Sequence, residues 1–356
     1  MIYKFSEILT IKNGKNQKKI ENPLGKYPIY GSGGIIGYGN DYICEKDTVV
    51  IGRKGNINKP LYIEEPFWNV DTAFGLVADI NILFPKYLYY FCVKYNFEKL
   101  NTTVTIPSLT KSNLLEIKID LPNLFNQKEI SKKLDKILKI LELKKQQNSE
   151  LDRLVKFQFL KMFGDPILNE KNWEIKDLQK LSILKSGGTP SRNNPNYFKG
   201  NIPWITTVSL GKLKISEEDA VEFITHEAIE NSATKLIPVM SLLFGVRVGV
   251  GKSSINLIPL CINQDIIAIT GIKSIINIIF LKNLLDLHFN YFNTQKRGAT
   301  IQGIKSDILK KLSIICPPIE LQNKFAEFVK QVDKSKVIFE KTLKILDFGL
   351  NYFNVL

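Results

Sequence analysis

The sequence predicts an α/β (α+β) chain of two globular domains related by an internal repeat and separated by two long antiparallel coiled-coil helices. Three observations carry this reading. Motifs of the first half return in the second in the same order and at a nearly constant spacing. Each half closes on a long stretch whose apolar residues keep a heptad step. Before each of these stretches lie short β-branched runs punctuated by Gly, Pro and Asn, the pattern of strands joined by tight turns. A chain of 356 residues also exceeds one ordinary domain.

Taken in order, the first domain occupies residues 1–123. Within it, 48–51 and 74–77 read as strands and 84–94 as a helix. The string Gly31-Ser32-Gly33-Gly34-Ile35-Ile36-Gly37 has its third glycine one place too late for a dinucleotide fingerprint and reads as a turn. The first long helix covers 124–163. Its seam runs through Ile130, Leu134, Ile137 and Leu141, then polar Lys144 and Asn148, then Leu151 and Val155. Polar residues on a seam weaken packing and fix register. The second domain covers 164–316, with strands at 242–244 and 266–270 and a helix at 279–291. The last helix, 317–356, steps strictly by four and three through Phe325, Val329, Val332, Lys336, Phe339, Leu343, Leu346, Leu350 and Phe353. Two such seams in one chain satisfy each other most simply as an antiparallel pair. The alternative is two independent amphipathic helices, each packed on its own domain.

The repeat is explicit. Residues 47–55 (DTVVIGRKG) match 241–249 (SLLFGVRVG), setting Arg53 opposite Arg247 at an offset of 194. The same offset carries Asn69-Val70-Asp71 onto Asn263-Gln264-Asp265. At 195, Thr105-Ile106 falls on Thr300-Ile301, and Pro122-x4-Gln127 on Pro317-x4-Gln322. Upstream, Lys12-Asn13-Gly14 matches the segment around Ser186-Gly187-Gly188, and Tyr27-Pro28-Ile29 matches Ile202-Pro203-Trp204 at 175. The second copy therefore carries an insertion between Trp204 and Ser241.

These motifs resemble a known family across essentially the whole chain: the specificity subunits of type I restriction–modification systems. Met162-Phe163-Gly164-Asp165-Pro166 with Asn172-Trp173-Glu174 looks like that family's junction between central helix and second domain. Ser186-Gly187-Gly188-Thr189-Pro190-Ser191-Arg192, Pro195-x-Tyr197-Phe198-x-Gly200 and Ile202-Pro203-Trp204-Ile205 are similar to its recurring domain opening. Pro317-Pro318-Ile319-Glu320-Leu321-Gln322 resembles the start of its conserved spacer helix. The resemblance implies two target-recognition domains, each reading half of a bipartite double-stranded DNA target and held apart by the helix pair. It implies two modification (DNA methyltransferase) subunits docked on the helices, with restriction (translocase/endonuclease) subunits in the full complex. It also implies no cofactor and no catalysis by this chain.

Charge agrees with an anionic partner. The net charge is +14, an excess that favours nucleic acid or a membrane surface. It is spread along the chain as +3 over 1–125, +5 over 126–163, +5 over 164–316 and +1 over 317–356. Such dispersion argues against a polybasic membrane anchor. No signal-peptide core or uncharged run of about 20 apolar residues is present, which places the protein in the cytoplasm. Cys44, Cys92, Cys261 and Cys316 form no C-x-x-C pair, so buried reduced thiols are expected rather than zinc.

Two further strings mimic active sites. Residues 245–254 (GVRVGVGKSS) look like a phosphate loop, but the motif needs glycine where Val246 stands. Asn194-Pro195-Asn196-Tyr197 resembles the flipped-adenine loop of methyltransferases, yet Asn196 replaces the second proline and no methyl-donor loop precedes it. Neither histidine has a triad or metal arrangement around it. The candidate DNA contacts are Arg53, Lys54, Arg192, Arg247, Lys252 and Lys305; Arg53 and Arg247 could instead be salt-bridged within their domains, Arg192 could lie in a solvated loop, and the lysines could be ordinary surface residues. Asn69, Asp71, Asn263 and Asp265 are expected to cap or brace turns rather than to read bases. Two other readings remain open at this stage: a two-domain scaffold that binds only protein, and a solitary DNA-binding regulator of the same fold. Salt-dependent binding to random duplex separates the scaffold from the others.

Overall fold

The computed structural model describes residues 1–101, 107–294 and 303–352, the last stretch as helix backbone alone from 338. The matched pair Thr105-Ile106 and Thr300-Ile301 lies outside the described residues. The chain forms two compact units, centred on 1–142 and 143–348.

In the first unit, residues 48–52 are β-branched or small and wholly buried, so they take a central place in a sheet. That sheet orders Leu9–Asn13, Ala73–Ala78, Thr48–Gly52 and Leu61–Ile63, all antiparallel. A three-stranded sheet orders Gly34–Gly39, Tyr27–Gly31 and Trp68–Asn69. The glycine-rich string is the hairpin between the first two of these, with Gly34 at φ +125. Ile2–Lys4 pairs with Lys118–Asp120 and closes the ends of the lobe. Helix Pro85–Lys94 seats Leu88 and Cys92 in the same core as Phe5, Val49, Phe74 and Leu76.

The second unit uses the same order. Ile183–Ser186, Ile266–Thr270, Leu242–Gly245 and Ser253–Asn256 lie side by side. Lys214–Ile215 is added as a fifth, parallel strand at the edge. That strand comes from the segment the repeat marks as inserted. Glu222–Ile224, Ile202–Ile205 and Cys261–Ile262 form the three-stranded sheet, and Ile175–Asp177 pairs with Ser313–Ile315. The helix expected at 279–291 is two, Ile278–Leu287 and Phe289–Thr294, interrupted at His288.

Strand pairing corrects one detail of the matching. Gly52 faces Ala73 as Gly245 faces Ile266. The Arg53 amide donates to Thr72 O at 2.8 Å as the Val246 amide donates to Asp265 O at 2.8 Å. The ladder therefore sets Arg53 against Val246 and Lys54 against Arg247, an offset of 193. Similarity of Arg-x-Gly suggests 194. Hydrogen bonds, not side-chain likeness, fix register, and the second turn accommodates the extra residue.

The first long helix is Leu124–Phe163, 40 residues and about 60 Å at 1.5 Å per residue. It starts where Asn123 Oδ1 accepts from the Asn126 amide and caps it. It stops at Gly164, whose φ of +76 suits glycine. The orphan carbonyls there are taken by Lys171 Nζ on Lys161 O and Met162 O, and by Trp173 Nε1 on Phe163 O. The junction motif is thus a helix stop. The second long helix is Ile319–Tyr352. Of the expected interface residues, Ile130, Leu134, Ile137 and Leu141 are half-buried and Val329 and Val332 are buried. Phe339, Leu343 and Leu346 lie outside the described side chains. Within the second unit the two helices run in opposite senses, for Asp152 pairs with Lys336 while Phe159 and Phe163 meet Phe325. Phe280 stacks into that aromatic cluster from the lobe, with ring centroids 5.4 Å from Phe159 and 4.8 Å from Phe163.

Candidate nucleic-acid interface

Both units present cations where a central strand runs into a glycine turn. In the first, Arg53 leaves strand Thr48–Gly52 with its amide on Thr72 O and its carbonyl accepting from Leu109 at 2.9 Å. Its side chain is exposed; Nη1 reaches Asp71 O at 3.5 Å, and the guanidinium lies 5.8 Å from the Phe74 ring centre. Lys54 comes next, with no side-chain partner among the described residues. Gly55, at φ +78, turns the chain so that its own amide reaches Pro107 O.

In the second unit, Arg247 is half exposed and 3.7 Å from Asp265 Oδ1. Two glycines with positive φ, Gly249 at +66 and Gly251 at +86, bend the loop back to the next strand. A Cβ on Gly251 would meet the Phe289 ring at 2.8 Å. Lys252 comes next, also without a side-chain partner among the described residues. Lys305 stands before helix Ser306–Lys310, one residue after Ile304, whose amide bonds Val246 O at 2.7 Å. Arg247, Lys252 and Lys305 thus belong to segments joined by backbone hydrogen bonds. The candidate cations gather at this end of the sheet in each unit.

Arg192 is placed differently. Its guanidinium forms a bidentate pair with Glu222, at 2.7 and 2.6 Å, and lies 4.1 Å from the Phe198 ring centre and 5.5 Å from that of Trp204. The hydrogen bond to Glu222 raises the guanidinium pKa above its ordinary value, and the same bond holds the Glu222 carboxyl below its own. Two of its recognition surfaces, the fork and one face, are already occupied. Arg192 clamps the 186–200 loop to the strand Glu222–Ile224, a partner 30 residues away that no local pattern signals.

The expected braces are found with one exception. Buried Asn69 donates to Lys12 O and Ala73 O and accepts from the Cys44 thiol. Asn263 binds Asp265 through both side chain and backbone, and Asp265 steadies Arg247. Asp71 braces only through its backbone carbonyl. Burial pushes the Cys44 thiol up to about 12 and the Cys261 thiol to about 11, which leaves both protonated and unreactive.

A family model, the type I restriction modification DNA specificity domain, matches residues 1–153 and 170–346. The chain belongs to this family. Each matched stretch contains one lobe of this specificity-domain protein together with most of one long helix. Among curated proteins, the type I restriction enzyme EcoR124I/EcoR124II specificity subunit of Escherichia coli is 28% identical over 140 residues, covering 38% of this chain and 34% of that one. A putative type I restriction enzyme MjaX specificity subunit of Methanocaldococcus jannaschii is 22% identical over 272 residues, covering 71% of this chain and 62% of that one. The chain thus spans about a third and under two thirds of those two relatives. The fold is similar to that of a type I restriction-modification S subunit from M. genitalium. That likeness has a TM-score of 0.65 and 17% identity, covering 99% of this chain and 94% of that one. A second likeness is to a chain from work on complex assembly of the type I R-M system, at TM-score 0.55 and 14% identity, covering 98% and 95%. At these identities the likeness concerns fold alone. No helix among the described residues is long and apolar enough to cross a membrane.

Proposed function

We propose that this chain is the non-catalytic DNA-specificity subunit of a type I restriction–modification complex. Each unit contributes one target-recognition domain reading one half of a bipartite duplex target. The two long helices form an antiparallel spacer on which two modification subunits dock, with restriction subunits joining the full complex. The observation that carries the reading is the family match, which falls as two stretches built alike. Each brings a sheet ending in a glycine turn with cations: Arg53 and Lys54 in one, Arg247 and Lys252 in the other. Such sites suit phosphate oxygens and base edges, which need positioned donors rather than activated nucleophiles. Arg192 supports the second site by holding its loop.

Titration with random duplex over a salt series tests the reading. Affinity is expected to fall with a log–log slope of about −0.9 per neutralised phosphate. Deleting the gene is expected to abolish methylation of one bipartite sequence in the host genome. Binding without salt dependence, together with an unchanged methylation pattern, rules the reading out.

A further inference from the structure

We propose that Asp71 and Gln264 are specificity-determining residues at equivalent turns of the two lobes. Asp71 accepts a hydrogen bond from the exocyclic amine of a cytosine or adenine. Gln264 donates one to a base acceptor in the other half-site. The inference rests on the DNA-reading function above and assigns which turn does the reading.

The two turns are the same piece of structure. Ala73 N bonds Val70 O at 2.9 Å, and Ile266 N bonds Asn263 O at 3.2 Å. Each turn is tied to the adjoining strand end by the matching bonds from Arg53 and Val246. The second residue of the four is Asp71 in one and Gln264 in the other, both exposed. A cation-bearing turn stands beside each, Arg53-Lys54 in the first lobe and Arg247 in the second.

Their side chains differ in what they leave free. The Asp71 carboxylate has no hydrogen-bond or ion-pair partner among the described residues; Arg53 reaches the Asp71 backbone carbonyl instead. A free carboxylate among cations cannot serve a phosphate, which is itself anionic and acceptor-only. On a DNA-facing turn it suits a base amine. Gln264 accepts at Oε1 from the Thr189 hydroxyl. That bond fixes the amide and leaves its Nε2 donors for another partner. Brace and turn together hold the tip rigid, since Asn263 also bonds Asp265. One turn thus offers an acceptor in the first lobe and a donor in the second.

The test maps the methylated sequence in the host with the full chain and its partners in place. Asp71→Asn replaces an acceptor-only carboxylate with an amide that keeps one acceptor and adds a donor, and is expected to change the preferred base at one position of one half-site. Discrimination there should fall roughly 5- to 150-fold, the span of one good base contact. Gln264→Glu is expected to do the converse in the other half-site. An unaltered sequence in both variants overturns the proposal, and so does a change spread over both half-sites. Should Asp71→Asn abolish methylation outright, Asp71→Glu, which keeps the carboxylate, must restore the original sequence or the proposal falls. If deleting the gene leaves host methylation intact, the function itself is wrong rather than the assignment of these residues.

Discussion

Gln127 and Gln322 each do the same three things. Gln127 donates to Ile82 O and Pro122 O at 2.9 Å and accepts from the Phe84 amide at 2.8 Å. Gln322 donates to Ile275 O at 3.0 Å and Pro317 O at 2.7 Å and accepts from the Asn277 amide at 2.8 Å. Both glutamines are buried, so each stitches a long helix to its lobe through side-chain groups shielded from water. Gln322→Leu is expected to cost about 1–3 kcal/mol in urea unfolding, the usual penalty for stranding buried polar groups; an unchanged midpoint would remove that role. His288 gives a pH signature. Burial lowers its pKa from 6.5, with a bond to Leu284 O and the Asp165 charge partly opposing. The folded state therefore resists protonation more than the unfolded state does, so stability is complete above pH 6.5 and declines as pH falls from there toward the folded value. Urea midpoints from about pH 7.5 to about pH 5 are expected to fall in wild type and to fall less in His288→Gln. Among the cations, Arg53→Ala and Arg247→Ala are each expected to weaken DNA binding by about 1–3 kcal/mol. Wild-type affinity in both variants would take the candidate site away from these turns.

Elements show where local pattern suffices. Short β-branched runs bounded by Gly, Pro and Asn made the central strands legible, and they are buried throughout; the seams of the two long helices were legible because a residue's side of a helix repeats every 3.6 positions. The ends of the first helix have local causes in the structure, the Asn123 cap before it and Gly164 after it. Polar Asn148 on the seam lies one turn from Asp152, which pairs with Lys336, and this pairing is the sort of contact that fixes register. The first helix is then expected to act as a spacer. Inserting four residues after Lys145 adds about 6 Å and rotates the downstream chain by about 40°. With about 3.4 Å of rise per base pair, the gap in the methylated target is expected to lengthen by nearly two base pairs, with both halves unchanged. Full activity on the original gap would mean that the helix does not set the distance. A general loss of activity would mean that the seam had slipped.

For the whole molecule, the matching sheet orders of the two lobes and the proposed function together predict exchangeable readers. Replacing residues 1–122 by the first domain of another family member is expected to alter one half-site only, as mapped by methylation. Alteration of both halves would refute independent reading. The sequence by itself determined the class, several central strands and the two long helical stretches, since each is written in short-range pattern and repeated motifs. Three things only the tertiary structure decided. Ladder pairing set Arg53 against Val246 rather than Arg247. A strand from the inserted segment joined the sheet beside Ser253–Asn256. Arg192 was taken up by Glu222, Phe198 and Trp204 inside its own lobe. Each depends on a partner distant in the chain, and no periodicity encodes which of several chemically similar partners a folded backbone brings within hydrogen-bonding distance.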